Sequence, residues 1–167
     1  SFVEQVLESG CQEWIVHARD AWLKGLSPRQ NRSIPPLRYE YVYQLKQDFP
    51  ELHITLNGGL KSYEDVQDAL AHVDAVMLGR AAYQDPRLIH QLGTCRVSYE
   101  QAVLQYIGYI EEQLSTEPIR RLLAPLVIAL TDYKGAKSDR RDLAECKDVI
   151  SALAPLQRVK QNLSEIN

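Results

Sequence analysis

Three short stretches carry side chains and backbone suited to holding an anion: His17-Ala18-Arg19, Asn57-Gly58-Gly59 and Gly79-Arg80. Glycine lets backbone N–H groups approach a phosphate closely because no Cβ intervenes, and an arginine adds a charged fork of donors. Taken singly, Asn-Gly-Gly is a turn signal and a histidine after an apolar run is more often structural. What sets them apart is their order: each follows a short apolar segment, and in parallel α/β proteins ligands gather where such strands end.

The elements that must position these residues can be read from periodicity. Phe2, Val3, Val6 and Leu7 predict a helix stopped by Gly10, and Trp14 to Ala18 a short strand. Lys24 to Pro36 is polar, and Pro28, Pro35 and Pro36 argue against regular structure there, with Pro36 able to open the next helix. Leu37, Tyr41, Val42, Leu45 and Phe49 share one helical face up to Pro50. His53 to Asn57 predicts a second strand, Ser62 caps a helix buried through Val66, Ala69, Leu70 and Val73, and Ala75 to Leu78 predicts a third strand. Helices long enough for crossovers between strands predict a parallel sheet.

After Ser98 strand signals stop. Ser98 and Gln101 form a capping-box pattern ahead of Tyr99, Ala102, Val103, Tyr106, Ile110 and Leu114. Pro118 opens a helix through Leu130 that Pro125 should kink or shorten. A third helix is expected from Ser138-Asp139 through Leu143, Cys146, Val149, Ile150 and Leu153. The expected organisation is an α/β domain over residues 1–92 and a helical domain over 98–167, joined by Gln91 to Val97.

Composition adds limits. With 45% hydrophobic and 25% charged residues over 167 positions, the chain is that of an ordinary globular protein without a membrane segment. Cys11, Cys95 and Cys146 have no metal-ligand or disulfide spacing, which predicts reduced thiols and no metal site, with Cys11 buried in the turn before the first strand. The net charge of −3 argues against indiscriminate nucleic-acid binding, yet from Ile119 to Arg141 six basic residues face two acidic ones.

The run from His17 to Leu37, with Asn57-Gly58-Gly59 and the stretch Met77 to Pro86, resembles the A-type tRNA-dihydrouridine synthases. The likeness extends from about Gly10 to Leu88. Leu26-Ser27-Pro28, Asn31-Arg32 and Ile34-Pro35-Pro36-Leu37 are its subfamily-specific part. The resemblance implies the C-terminal part of a TIM (β/α)8 barrel followed by an all-helical domain. It further implies reduction of a tRNA uridine to dihydrouridine with FMN as cofactor and NADPH as electron donor, in the cytoplasm or an organelle matrix.

On the family pattern, His17 and Arg19 lie against the flavin, Asn57, Gly58 and Gly59 line its ribityl-phosphate end, and Gly79 and Arg80 hold the phosphate. Lys24, Arg29, Asn31 and Arg32 are expected on the RNA-facing loop, and Arg120 and Arg121 on an RNA-facing helix. There, Ile119 to Val127 departs from the family's histidine- and glycine-containing basic motif. No catalytic residue is expected in this chain. A whole barrel needs about 250 residues, so the cysteine-bearing first half, or a partner chain covering the open sheet, is expected elsewhere, and the chain alone is expected to be inactive. Two alternatives stay open: a non-catalytic relative serving as a structural or interaction subunit, and another FMN-barrel oxidoreductase acting on a small molecule.

Overall fold

The structure is a computed structural model that describes residues 2–93 and 96–166. Cys95 and part of the expected join lie outside the described residues. The chain forms two compact units, Ser1–Ala81 and Ala82–Asn167.

The first unit is a mixed α/β arrangement. Helix α1 (Phe2–Leu7) leads to strand β1 (Glu13–His17), then α2 (Pro28–Asn31), α3 (Tyr39–Asp48), β2 (His53–Asn57), α4 (Tyr63–Leu70) and β3 (Ala75–Met77). The three strands are parallel in the order β1-β2-β3. β2 is central, and its Ile54 and Leu56 side chains are fully buried. Their period-two burial fixes the register, because a one-residue slip would turn both toward the opposite face.

Local chemistry sets the ends of the elements. Ser62 and Asp65 form a reciprocal capping box at the start of α4. Pro50 disfavours helical backbone at the preceding residue, and α3 stops at Asp48. Asp74, just before β3, accepts the Ile54 N–H at 2.8 Å and pairs with Lys46 Nζ at 2.8 Å, while Lys46 also donates to the Pro50 and Leu52 carbonyls. The bond from Lys46, then the Ile54 N–H, hold the Asp74 carboxyl below the usual carboxylate range.

Several expectations need correction. Residues 24–36 do contain a helix: Pro28 occupies the first helical position of α2, and Ser27 and Gln30 cap it reciprocally. Pro36 does not open α3, which begins at Tyr39 because Asp20 N–H and Arg38 N–H are engaged in backbone bonds to Pro36 and Ala18 carbonyls. Tyr41, expected on the buried face, is 68% exposed. Cys11 is exposed rather than buried, since the turn that holds it precedes an edge strand.

The chain continues through α5 (Arg80–Gln84), and the second unit is helical: α6 (Pro86–Leu92), α7 (Tyr99–Gln113), α8 (Ile119–Ala129), α9 (Ala136–Glu145) and α10 (Val149–Ser164). Ile107, Ile110, Leu126, Leu130, Leu143, Leu156 and Val159 form its fully buried core. α8 runs uninterrupted through Pro125, held by buried Leu122, Leu123 and Leu126 on one stripe.

The expected third helix is two. It breaks after Glu145, and Asp148 caps α10 with Ser151 in a further reciprocal box, leaving Ile150 83% and Leu153 52% exposed. Pro155 inside α10 deprives the Ser151 carbonyl of its usual donor. The Cys146 thiol lies 3.3 Å from that carbonyl and 3.2 Å from that of Asp142, and its burial raises the thiol pKa.

The single buried charge among the described residues is Asp139, which accepts from Arg158 Nε at 2.7 Å, the Tyr133 hydroxyl at 2.9 Å and Asn162 Nδ2 at 3.0 Å. Burial and this carboxylate push the Tyr133 phenol well above its ordinary range. No helix among the described residues is long and apolar enough to cross a membrane.

Two stability predictions follow from these polar anchors. Asp139→Ala strands the donors of three residues and is expected to cost about 2 to 3 kcal/mol in denaturant unfolding, within the range for unsatisfied buried partners. Asp74→Asn is expected to destabilise by about 1 to 2 kcal/mol at pH 7 through loss of charge-assisted bonds. Because the folded-state pKa of Asp74 is depressed, its contribution is complete above the unfolded value near 4 and is lost as pH falls through the folded value. The wild-type and Asp74→Asn unfolding midpoints should therefore converge as the pH falls below about 4; a constant gap would remove this assignment.

Candidate functional site

The pairing of the strands sets their carboxyl ends flush. His17 stands opposite Asn57, and Asn57 opposite Met77, so that Gly79 and Arg80 follow directly from the same rim. All seven residues expected at the anion site, His17, Arg19, Asn57, Gly58, Gly59, Gly79 and Arg80, therefore lie at one end of one sheet, in the first unit.

The imidazole of His17 is exposed, and its Nδ1 accepts the Arg19 backbone N–H at 3.1 Å. A neutral ring with Nδ1 as acceptor carries its proton on Nε2, which makes the free nitrogen a donor. Gly58 and Gly59 have φ of 119° and 78°, a region that L side chains rarely adopt. The space that a Cβ would take is filled by the protein itself. At Gly58 it would meet His17 Cε1 at 3.2 Å, and at Gly59 it would collide with Leu37 Cδ1. The Tyr39 hydroxyl, which sequence reasoning passed over, donates to the Gly58 carbonyl at 2.7 Å and fixes the turn; its place three residues past Pro36 was the only signal. At Gly79, by contrast, a Cβ would meet nothing within 4 Å. The backbone there is open to a ligand.

The two rim arginines act differently from a free fork. Arg19 donates through Nη1 to the Ser33 carbonyl at 3.2 Å and to the Pro35 carbonyl, and its Nε is buried without a partner. Arg80 is exposed and donates through Nη2 to the Arg32 carbonyl at 2.8 Å. All three acceptors are neutral, so the charge of each guanidinium is not cancelled by these bonds.

The loop that they grip leaves the end of β1 and returns to it. Ala18 N–H donates to the Asn57 carbonyl at 2.8 Å, Arg38 N–H to that of Ala18 at 2.7 Å, and Asp20 N–H to that of Pro36 at 3.0 Å. Within the loop Asn31 pairs with the Trp22 backbone twice, Nδ2 to its carbonyl at 2.7 Å and Oδ1 from its N–H at 3.0 Å. The Asn31 side chain is thus a staple that shapes the loop. Lys24, Arg29 and Arg32 are exposed, as are Trp22 and Leu23.

Arg120 and Arg121 belong to α8 in the second unit. Both are exposed, and Arg121 pairs with Glu117 one turn back at 3.1 Å.

Comparison with known proteins identifies the lineage. Residues 1–165 match the family model for dihydrouridine synthase (Dus). A tRNA-dihydrouridine(20/20a) synthase of Pasteurella multocida is 46% identical, the match covering 98% of this chain and 52% of that protein. The protein of the same name from Synechocystis is 44% identical over 90% of this chain and 48% of its own length. That from Xanthomonas campestris pv. campestris is 56% identical over 68% of this chain and 35% of its own. The chain spans about half the length of the first two relatives. By a match that runs through both compact units, the chain belongs to the dihydrouridine synthase family.

Proposed function

We propose that the protein reduces uridine in tRNA to 5,6-dihydrouridine, with FMN as cofactor and NADPH as reductant, and that this chain supplies the phosphate end of the flavin site together with a helical RNA-binding unit. The observation that carries this is the shared rim, where a histidine donor, an asparagine, an open glycine and an arginine with uncancelled charge end three parallel strands. In this assignment the sheet is the C-terminal part of a (β/α)8 barrel, a fold whose ligands sit at the strands' carboxyl ends.

The residues fit an FMN phosphate. Gly79 leaves room for backbone N–H groups to reach an anion, and Arg80 holds its charge beside that room. Asn57 offers both an amide donor and an acceptor to ribityl hydroxyls. His17, with its Nε2 proton, is suited to donate to an acceptor on the flavin ring, and Arg19 shapes the loop beside it. Gly58 and Gly59 act by letting the turn pack on Leu37 and His17. When bound, FMN supplies the hydride transfer that no side chain can perform.

The loop between β1 and α3 carries the RNA-facing role. Exposed Lys24, Arg29 and Arg32 are suited to phosphates, exposed Trp22 gives a face on which a base can stack, and Asn31 holds their loop in shape. On the second unit Arg120 is exposed and Arg121 shares its charge with Glu117, so Arg120 is the stronger phosphate contact of the two.

Two measurements test the proposal. The protein as the cell makes it should purify yellow and lose its flavin absorbance on Arg80→Glu, whose carboxylate repels a phosphate; colour retained by that variant would remove the phosphate assignment. Deleting the gene should lower the dihydrouridine content of total tRNA, and an unchanged content would remove the enzymatic one.

A further inference from the structure

Resting on that flavin assignment, we infer that Arg80 is a positioning residue that couples occupancy of the phosphate site to the order of the RNA-facing loop. Its guanidinium donates to the backbone carbonyl of Arg32, 48 residues earlier in the chain. Among the described residues this is the one hydrogen bond that the β3 end makes to the loop, and Arg80 has no acidic partner.

The acceptor matters. Arg32 caps the C-terminus of α2, the short helix that carries Arg29 and Asn31. The base of the loop is fixed independently, by the backbone bonds of Ala18, Asp20 and Arg38 and by Arg19 on the Ser33 and Pro35 carbonyls. Those bonds all run from the β1 end. Among the described residues Arg80 alone ties α2 to the β3 end, where the phosphate would bind.

A guanidinium has five N–H donors in a rigid plane, and one bond to a neutral carbonyl leaves both the charge and the remaining donors available. An anion seated on that fork restricts its rotation, so that holding the bond to the Arg32 carbonyl costs less further conformational entropy. By linkage, ordering of the loop through this bond must in turn make the anion bind more tightly. A flavin-loaded site thus presents a more ordered RNA-facing loop than an empty one. Lysine cannot replace arginine here, because a single ammonium on a flexible stem does not bridge a phosphate and a carbonyl in fixed geometry.

Lys24, Arg29 and Arg32 are exposed, so trypsin reads the order of the loop directly. Wild-type protein and Arg80→Lys, each as the cell makes it, are stripped of flavin and treated with trypsin with and without saturating FMN. Saturation is checked by spectral titration, and mass spectrometry times cleavage after those three residues. FMN is expected to slow cleavage of the wild type about fivefold or more, the scale of a typical coupling, and to leave Arg80→Lys nearly unprotected although saturated. Equal protection of both proteins would overturn the inference while leaving the flavin assignment intact. Arg80→Gln serves where the lysine variant fails to fold by circular dichroism. Should the wild type take up no FMN, the flavin assignment itself fails. The same assay with inorganic phosphate then decides the inference, which protection of the wild type alone would support and its absence overturn.

Discussion

The parallel pairing of β2 with both of its neighbours is the constraint on which the rest of the first unit depends. Parallel strands share a direction, so their carboxyl ends, with whatever polar residues follow, come out at one edge. The register is held from two sides. Ile54 and Leu56 are fully buried on β2, and at its far end Asp74 and Lys46 tie the Ile54 N–H and the Leu52 carbonyl. At the rim the Ala18 N–H to Asn57 carbonyl bond and the Tyr39 hydroxyl on Gly58 continue the pairing past the last ladder residue. A slip by one residue would bury Thr55 and expose Leu56, and it would displace Asn57 from His17 at the same time. Core packing and the geometry of the site are therefore enforced by the same contacts.

What the sequence disclosed depended on how local the determining chemistry was. β2 was legible to its exact bounds, since His53 to Asn57 alternates between a proline and a diglycine. The caps at Ser62 and Ser98 were legible because a capping box is a four-residue pattern. The same pattern at Ser27 to Gln30 and Asp148 to Ser151 was passed over, in the first case because prolines suggested irregular chain and in the second because apolar spacing carried across the break. Val149, Ile150 and Leu153 keep helical spacing with Leu143 and Cys146, yet Ile150 and Leu153 are exposed. Periodicity reports a face, and whether a neighbour covers that face is decided by the tertiary structure.

At the rim, the identities of the residues were legible and their partners were not. Nothing in the sequence marks Arg19 for the Ser33 and Pro35 carbonyls or Arg80 for that of Arg32, because a bond to backbone leaves no trace in the partner's residue type. The glycines divide for a similar reason. Gly58 and Gly59 are required by Leu37, Tyr39 and His17 packing against them, whereas Gly79 opens onto free space. A diglycine motif and a lone glycine look alike as phosphate signals, and only the surroundings distinguish a turn that must pack tightly from one with free space beside it.

Arg158 and the rim arginines use charge in opposite ways. In the helical unit Arg158 is neutralised by Asp139 at 2.7 Å and Asp142 at 2.6 Å, and these bonds raise its pKa further. That arginine is committed to holding α10 on α9. At the rim, Arg19 and Arg80 are held by carbonyls, which fix direction while leaving the full positive charge in place. A chain with a net charge of −3 can in this way keep a local positive field at one edge of a sheet, since a field depends on which charges are paired rather than on their sum. An aspartate near Arg80 would stabilise the arginine more than a carbonyl does, but it would cancel the attraction for an anion. The neutral partner is what leaves the arginine fit to bind one.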